Sequence, residues 1–334
     1  MINIGIIGYG YWGPNLVRNF NGNKNFNVAK VADCRDERLF ALQRIYPNIV
    51  TTTNTEDVIN DKFIDAVAIA TPVFTHYKLA KAALENGKHV ILEKPMTSTS
   101  QEAEELIELA LKKGLSLMVD HTFLYTGAVQ KIKQIIDSDA IGNIRYLDST
   151  RINLGLFQPD INVLWDLAPH DISILTHLIK EKPYSLNATG VSHTGNNLEN
   201  IAYLTVNFES GFIAHFNCSW TSPVKIRLIL IGGDKKMIVF NDLEPTEKIK
   251  IYDTGYNIKN DEDKEKLLID YRSGDIFIPK TPSTEALALM AEDFAQSILN
   301  KKNPVSDFNS GLSVVKILEA SNLSIKNTGK EVII

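Results

Sequence analysis

Short apolar runs alternate with helical segments through the first third of the chain, and this alternation restricts the possible folds more than any other feature. The runs with the length and character of buried strands are 4–7, 28–32, 65–70, 89–92 and 115–119. The helical segments between them are 14–20, 36–45, 77–85 and 100–113. Because strands separated by helices form βαβ units, we predict an α/β fold with a Rossmann-type, doubly wound parallel sheet.

The pattern changes near residue 120, and we predict two domains, 1–120 and 121–334. The helices predicted in the second domain are 129–136, 165–179, 284–300 and 310–327. The strands predicted there are 144–154, 201–208, 212–220, 225–231, 237–240 and 248–252. Glu209-Ser210-Gly211 separates two of these strands and indicates a hairpin. The second domain is therefore predicted to be α+β with a largely antiparallel sheet.

Charge and cysteine content exclude several classes of protein. Lys plus Arg number 35 and Asp plus Glu number 40, for a net charge of −5, which argues against nucleic acid as a partner. Cys34 and Cys218 are far apart, so we expect neither a disulfide scaffold nor a CxxC site, and the scattered histidines predict no metal centre. With no signal-peptide pattern and no long apolar segment, we expect a cytoplasmic protein without a membrane span. The mixed-charge run 259–266 predicts a solvated loop.

The loop after the first predicted strand fits the pattern G-x-G-x-x-G. Its residues are Gly8, Tyr9, Gly10, Tyr11, Trp12 and Gly13. In this pattern the first glycine permits a tight turn, the second lets the backbone approach a pyrophosphate, and the third lets the next helix pack closely. The loop therefore predicts a dinucleotide site, in which its three aromatic side chains contact either the cofactor or a partner subunit.

Asp33 ends the second predicted strand, 20 residues after Gly13. At this place a carboxylate would accept hydrogen bonds from the adenosine ribose of a dinucleotide. The same carboxylate would repel a 2′-phosphate, so we expect NAD in preference to NADP. Arg35 and Arg38 lie close in sequence and leave NADP as the alternative.

The fourth predicted strand ends in Glu93-Lys94-Pro95. Ligands of doubly wound sheets bind beyond the carboxyl ends of the strands, so Lys94 would point toward the nicotinamide side of the crevice. The alternative is a lysine at the rim of the sheet that pairs with Glu93.

Asp166 and His170 are four residues apart and share one face if their segment is helical. A carboxylate beside an imidazole fixes its tautomer and stabilises its protonated form, which suits a general base. The alternative is a helix that begins with an Asp cap and carries a partly buried histidine. Arg151 and Asn153, on the first strand of the second domain, would face either a substrate or the packing of the sheet.

Four motifs follow one another along the chain: Gly8-x-Gly10-x-x-Gly13, Thr71-Pro72 with His76, Glu93-Lys94-Pro95 and Asp166-x-x-x-His170. Together they resemble the Gfo/Idh/MocA family of nicotinamide-dependent sugar and inositol oxidoreductases, over essentially the whole chain. The resemblance implies a Rossmann domain followed by a sheet domain whose open face mediates homodimers or homotetramers. It also implies a cis peptide between Lys94 and Pro95.

Within the family, residues 8–15 and 165–171 resemble the branch that acts on nucleotide-linked sugars, which includes enzymes that oxidise the sugar 3-hydroxyl. Two segments depart from the family pattern. Many relatives carry a glycine pair where this chain has Ile161-Asn162, and an arginine in the segment that here is 121–125. Both departures concern the substrate pocket, so the resemblance leaves the sugar undefined.

The resemblance implies an oxidoreductase that transfers a hydride between a sugar secondary alcohol and NAD, at C3 of a UDP- or dTDP-linked hexose. We predict His170 as the base, Asp166 as the residue that orients it, and Lys94 as the group that stabilises charge on the oxygen. The further predicted cofactor contacts are Thr71, Pro72, His76, Glu93 and Lys94, and the alternative for His76 is a structural histidine at the start of a helix. The alternatives are an inositol or free-sugar dehydrogenase, a ketosugar reductase, and a non-catalytic NAD-binding regulator.

Overall fold

The computed structural model describes residues 1–257 and 270–334, so the loop predicted at 259–266 lies outside the described residues. By its internal contacts the chain divides into two compact units. The first unit is Met1–Thr126 with Thr284–Lys316, and the second unit is Gly127–Ser283 with Ile317–Ile334.

The first unit is built on a six-stranded sheet in the order β3-β2-β1-β4-β5-β6. The strands are β1 (Ile2–Ile7), β2 (Phe26–Ala32), β3 (Val50–Thr52), β4 (Ala66–Ile69), β5 (His89–Glu93) and β6 (Leu117–Asp120). All five strand pairs are parallel, so the predicted doubly wound sheet is confirmed. The sequence prediction omitted β3, because three half-buried or exposed residues at a sheet edge have no apolar periodicity.

Helices flank these strands in the order expected of βαβ units. They are α1 (Gly13–Asn21), α2 (Asp36–Ile45), α3 (Glu56–Ile59), α4 (Val73–Glu85), α5 (Ser100–Lys113) and a 3₁₀ helix at Thr122–Tyr125. Helix α5 shows how local sequence sets both ends. Thr99 and Glu102 form a capping box at its start, and Gly114 ends it in the left-handed conformation at φ 64°.

The segment 284–316 belongs to the first unit, whereas the predicted division assigned everything after residue 120 to the second domain. The segment carries α8 (Ala286–Leu299) and the first half of α9 (Phe308–Lys326). The reason is apolar packing: the ring of Phe294 lies 6.4 Å from that of Phe20 and 6.0 Å from that of Phe26. Long-range packing of this kind leaves no local signal in the sequence.

The second unit contains a nine-stranded sheet in the order β14-β13-β12-β11-β7-β10-β9-β8-β15. The strands are β7 (Ile144–Ile152), β8 (Ser185–Val191), β9 (Ile201–Asn207), β10 (Ile213–Ser219), β11 (Ile226–Gly233), β12 (Met237–Asn241), β13 (Ile249–Asn257), β14 (Asp270–Phe277) and β15 (Val332–Ile333). Among the described strands of this second sheet, β7 and β10 are the only parallel pair, so the prediction of a largely antiparallel sheet is confirmed.

Two helices, α6 (Gly127–Asp137) and α7 (Val163–Leu178), precede most of this sheet, and α7 packs against β7, β9 and β10. The strand face toward the core carries Ala202, Leu204 and Val206, which are fully buried. The opposite face carries Tyr203, which is 47% exposed. This alternation is the half-buried strand pattern that the sequence predicts.

Candidate functional site

The glycine loop has the geometry that a dinucleotide requires. Gly8 has a φ of 99°, and a Cβ atom there would lie 2.4 Å from the carbonyl oxygen of Ala70. A Cβ atom on Gly13 would lie 2.5 Å from the carbonyl oxygen of Gly8, so only glycine lets α1 start this close to β1. A Cβ atom on Gly10 would meet nothing closer than Nη2 of Arg35, at 3.5 Å, which is ordinary van der Waals contact. The turn and the close packing are therefore built in, and Gly10 keeps an open surface for a pyrophosphate.

Asp33 directly follows β2 and is only 6% exposed. Its carboxylate accepts hydrogen bonds from the Tyr9 main-chain N–H at 2.7 Å and from Arg35 Nε and Nη2 at 2.9 and 3.0 Å. Burial opposes ionisation, but the hydrogen bonds from Arg35 and Tyr9 outweigh it and hold the pKa of Asp33 below its ordinary value. An ionised acceptor at this place fits an adenosine ribose. The bidentate Arg35 contact had no distinct signal in the sequence.

The three aromatic residues of the glycine loop lie in different environments. Tyr11 is 91% exposed, whereas Tyr9 is buried. The Trp12 indole donates a hydrogen bond from Nε1 to Oδ2 of Asp120 at 3.3 Å. Trp12 therefore joins the glycine loop to the end of β6, and a contact of any of the three with a cofactor stays a prediction.

His76 lies in the first turn of α4 and is 1% exposed. Its Nε2 is 2.8 Å from the Thr71 carbonyl oxygen and its Nδ1 is 2.9 Å from the Pro95 carbonyl oxygen. Burial lowers the pKa of His76. The imidazole thus links the loop after β4 to the turn after β5, while Pro72, before α4, is exposed.

Lys94 directly follows β5, and its main-chain N–H donates to Oε2 of Glu93 at 3.1 Å. The Lys94–Pro95 peptide is cis, as the family resemblance implies. Glu93 is the register partner of Asp120, the last residue of β6. Burial raises the pKa of Glu93 well above its ordinary value, and the Asp120 charge raises it further. Lys94 belongs to the first unit, together with the glycine loop and Asp33.

Asp120 and the neighbouring His121 were not singled out by any motif. Asp120 accepts hydrogen bonds from Thr122 Oγ1 at 2.6 Å and from Trp12. Both ring nitrogens of His121 are buried and have no hydrogen-bond partner among the described residues. Burial, and then the Lys94 charge, lower the pKa of His121 to about 3. A signal for Asp120 did exist, because the parallel sheet aligns the ends of β5 and β6.

Asp166 and His170 lie in the second unit, on α7. Asn162 caps this helix by accepting a hydrogen bond from the Trp165 N–H at 3.1 Å, so the departure from the family glycine pair supplies a helix cap. Trp220 donates from its indole Nε1 to Oδ2 of Asp166 at 3.0 Å. Asp166 is thus held by the residue that follows β10, one helical turn before His170. That it orients His170 stays a prediction.

The residue after His170 forms a buried ion pair with the sheet. Arg151, on β7, donates from Nε and Nη2 to the two carboxylate oxygens of Asp171 at 2.8 and 2.6 Å. Their side chains are only 4% and 2% exposed. Of the two interpretations of Arg151, the structure favours packing between β7 and α7.

Two features are absent from residues 1–257 and 270–334. This part of the chain contains no group of three or more His, Cys, Asp or Glu side chains able to hold a metal ion. No helix in it is long and apolar enough to cross a membrane.

A parallel sheet with a glycine loop and a carboxylate after β2, followed by an antiparallel sheet unit, defines a class of dinucleotide-binding proteins. Two family models match the chain. One, described as an oxidoreductase family with an NAD-binding Rossmann fold, matches residues 2–121. The other, the GFO/IDH/MocA C-terminal domain, matches residues 129–239. The chain belongs to the Gfo/Idh/MocA oxidoreductase family.

Named relatives act on different compounds. Scyllo-inositol 2-dehydrogenase (NADP(+)) IolW of Bacillus subtilis (strain 168) is 26% identical over 249 residues, which cover 70% of this chain and 63% of that protein. UDP-N-acetylglucosamine 3-dehydrogenase of Acidithiobacillus ferrooxidans is 33% identical over 160 residues, which cover 47% of this chain and 49% of that protein. The alignments therefore span less than two thirds of either relative.

Solved structures show the same fold over nearly the whole chain. The structure of UDP-N-acetylglucosamine 3-dehydrogenase GnnA from A. ferrooxidans has a TM-score of 0.80 at 24% identity and covers 98% of both chains. Aldose-aldose oxidoreductase from Caulobacter crescentus has a TM-score of 0.83 at 17% identity, with 100% of this chain and 99% of that chain covered. At these identities the likeness concerns the fold alone.

Proposed function

We propose that this chain is a nicotinamide-dependent dehydrogenase that oxidises a secondary alcohol of a sugar, at C3 of a UDP- or dTDP-linked hexose. The observation that carries the proposal is the carboxyl edge of the six-stranded sheet. The glycine loop follows β1, Asp33 follows β2 and Lys94 follows β5. Because all these strands are parallel, a dinucleotide cradle and a lysine lie at one edge. Dinucleotide binding alone does not require that lysine.

The proposed reaction divides the work between three side chains. When bound, the nicotinamide accepts a hydride from the alcohol carbon. Lys94 donates a hydrogen bond from Nζ to the substrate oxygen and stabilises the negative charge that builds there. The imidazole of His170 accepts the hydroxyl proton as the hydride leaves, because an alcohol is too weak an acid to ionise first. Asp166 holds that imidazole in one tautomer and stabilises its protonated form.

We propose NAD as the cofactor in preference to NADP. The buried, ionised Asp33 supports NAD, since a carboxylate accepts hydrogen bonds from a ribose hydroxyl and repels a phosphate. Arg35 offsets part of this charge, and the related IolW is named as an NADP(+) enzyme. Titration should give at least about tenfold tighter binding of NAD⁺ than of NADP⁺, which corresponds to about 1.4 kcal/mol. Equal affinities, or tighter NADP⁺ binding, would contradict the preference.

Two named relatives define the choice of substrates to test. One acts on UDP-N-acetylglucosamine at position 3 and the other on scyllo-inositol at position 2. Purified protein with NAD⁺ should therefore be mixed with UDP-, dTDP- and GDP-sugars, inositols and free hexoses, and NADH formation followed by absorbance. Turnover with one nucleotide-sugar supports the proposal. Turnover with inositols or free hexoses alone would instead indicate an inositol or free-sugar dehydrogenase. Tightly held NADH with no oxidation would indicate a ketosugar reductase or an enzyme that recycles its cofactor.

Substitutions distinguish an enzyme from a regulator that only binds NAD. Lys94→Ala and His170→Ala should each lower turnover at least about 100-fold while NAD(H) binding is kept. Matched controls are Lys78→Ala, an exposed lysine of the first unit, and His177→Ala, a second histidine on α7. Turnover near the wild-type value in either catalytic variant would refute the assigned role.

We also propose that the protein forms homodimers or homotetramers through the sheet face that carries Tyr203. Ile213 on β10 is on the same face and is 44% exposed, so this open face carries an apolar side chain among polar ones such as His215. Light scattering coupled to size-exclusion chromatography should report an assembly in the wild type. Ile213→Lys should reduce its size, whereas an unchanged assembly would place the interface elsewhere.

A further inference from the structure

A buried and a half-buried carboxyl group lie on neighbouring strands at the carboxyl edge of the first unit, and the proposed reaction uses neither. Glu93 is the last residue of β5, Asp120 is the last residue of β6, and the two are partners in the parallel register. Asp120 is only 2% exposed. Oε1 of Glu93 is buried and has no hydrogen-bond donor among the described residues. We call Glu93 and Asp120 the carboxyl pair.

The donors around the carboxyl pair are unequally distributed. Asp120 accepts one hydrogen bond on each oxygen, from Thr122 at 2.6 Å and from Trp12 at 3.3 Å. Glu93 accepts a hydrogen bond on Oε2 only, from the Lys94 main-chain N–H at 3.1 Å. Its other oxygen, Oε1, has no donor among the described residues, although Asp120, its neighbour in the parallel register, lies on the next strand. Because two carboxylates offer only acceptors, a hydrogen bond within the carboxyl pair needs a proton on one of them.

One proton on Glu93 satisfies this geometry. Protonated Glu93 donates to Asp120, which then has a third donor and remains the charged member of the carboxyl pair. Burial raises the pKa of both groups, and at Asp120 the hydrogen bonds from Thr122 and Trp12 oppose that rise. Two neighbouring carboxyl groups in a site screened from water cannot both ionise readily.

The other ionisable groups near the carboxyl pair are few. Lys94, next in sequence to Glu93, is a cation that favours ionisation of both carboxyls. His121 is held neutral, with its pKa lowered to about 3 by burial and then by the Lys94 charge. Tyr125 is held neutral by burial, which raises the pKa of its hydroxyl, and it donates to Asp293 at 2.8 Å. With His121 and Tyr125 held neutral, the carboxyl pair is therefore the group among these that can exchange a proton near neutral pH.

We propose that the carboxyl pair shares one proton and exchanges it according to the charge of the nicotinamide: the pair loses the proton when NAD⁺ binds and keeps it when NADH binds. The inference rests on the proposed function, since it takes the nicotinamide to bind at this edge. The oxidised ring carries a positive charge that the reduced ring lacks. In a buried site of low dielectric constant, that charge stabilises the second carboxylate.

The number of protons released and taken up in this exchange is equal. On binding of NAD⁺, the O–H bond of Glu93 breaks and its proton passes to solvent. When the cofactor becomes reduced, the carboxyl pair takes up one proton, which matches the one that leaves the alcohol. No further oxidant, reductant or reactant is needed. The carboxyl pair would thus store the proton that oxidation of the alcohol liberates.

The shared proton can be tested without a cofactor. The infrared spectrum of the free protein at neutral pH should contain the C=O band of a protonated carboxyl group. Glu93→Gln, which keeps the side-chain shape, should remove the band. Glu85→Gln, which changes an exposed glutamate at the end of α4, should keep it. Absence of the band in the wild type, or its persistence in Glu93→Gln and in Asp120→Asn, would overturn the shared proton.

The coupling can be tested by titration calorimetry with NAD⁺ and with NADH, in buffers of different ionisation enthalpy. We expect release of up to one proton with NAD⁺ and none with NADH. The NAD⁺ affinity should then rise by up to about tenfold per pH unit near neutral pH. Glu93→Gln should abolish the difference between the cofactors, and Glu85→Gln should keep it. Equal proton release in the wild type and Glu93→Gln would overturn the coupling. Failure to bind either cofactor would overturn the proposed function and the coupling. The infrared test of the shared proton does not depend on cofactor binding, so its result would still stand.

Discussion

The ion pair between Arg151 and Asp171 should contribute more to the stability of the second unit than any single surface contact. It joins β7 to α7 immediately after His170, so it also holds the helix that carries the proposed base. Replacing Arg151 by methionine removes both charged hydrogen bonds. Asp171 would then keep only the hydroxyl of Ser149, at 2.9 Å, as a side-chain donor from β7.

The expected magnitude follows from burial. Both side chains are almost fully buried, and removal of one partner from a buried ion pair leaves an uncompensated charge. We therefore expect Arg151→Met to lower the free energy of unfolding by about 3–5 kcal/mol. The double variant Arg151→Met/Asp171→Leu buries no isolated charge, so it should be more stable than Arg151→Met alone.

The assay is urea unfolding followed by tryptophan fluorescence. Two of the three tryptophans, Trp165 and Trp220, are buried in the second unit, and a Trp12→Phe background makes them the only reporters. The matched control is Arg145→Met, on the same strand, whose 3.5 Å contact with Asp234 is exposed and should contribute less than about 1 kcal/mol. If Arg151→Met lowered the free energy of unfolding as little as the control does, the reasoning would be refuted. A double variant less stable than the single one would also refute it.

Three further predictions concern the first unit. Gly13→Ala should lower the melting temperature, because its Cβ would lie 2.5 Å from a carbonyl oxygen. Gly10→Ala should leave the melting temperature unchanged but weaken NAD⁺ binding at least about tenfold. Equal effects of the two variants on the melting temperature would contradict the assigned roles. His76→Ala should lower the free energy of unfolding by about 1–3 kcal/mol, measured with urea, because the neutral imidazole donates to one of the two main-chain carbonyl oxygens beside it and that buried oxygen would lose its donor. An unchanged unfolding midpoint would contradict this prediction. Glu93 keeps its proton in the folded state above its ordinary pKa of 4.5, so folded protein binds more protons than unfolded protein and the wild type loses stability as pH rises above about that value. The stability of Glu93→Gln relative to the wild type should therefore increase by at most about 1.4 kcal/mol per pH unit, and parallel curves would exclude a raised pKa.

Local sequence signals were sufficient for much of the fold. Apolar runs and helix-end residues predicted five of the six parallel strands and both sheet types. The short β3 and α3 escaped prediction, because three- and four-residue elements are too short for a periodicity. The sequence also did not predict that Thr284–Lys316 belongs to the first unit, because this depends on a contact between aromatic rings far apart in sequence.

Part of the candidate site was likewise predictable from the sequence and part was not. The sequence by itself determined the glycine loop, Asp33 and Lys94, because each of these residues directly follows a strand whose apolar run is visible. Only the tertiary structure decided that His76 is committed to two main-chain carbonyls and that Glu93 meets Asp120. Residue type and spacing specify which groups reach the end of a strand. Which of those groups then share a buried space depends on strand order and register, and these are set by the packing of the whole sheet.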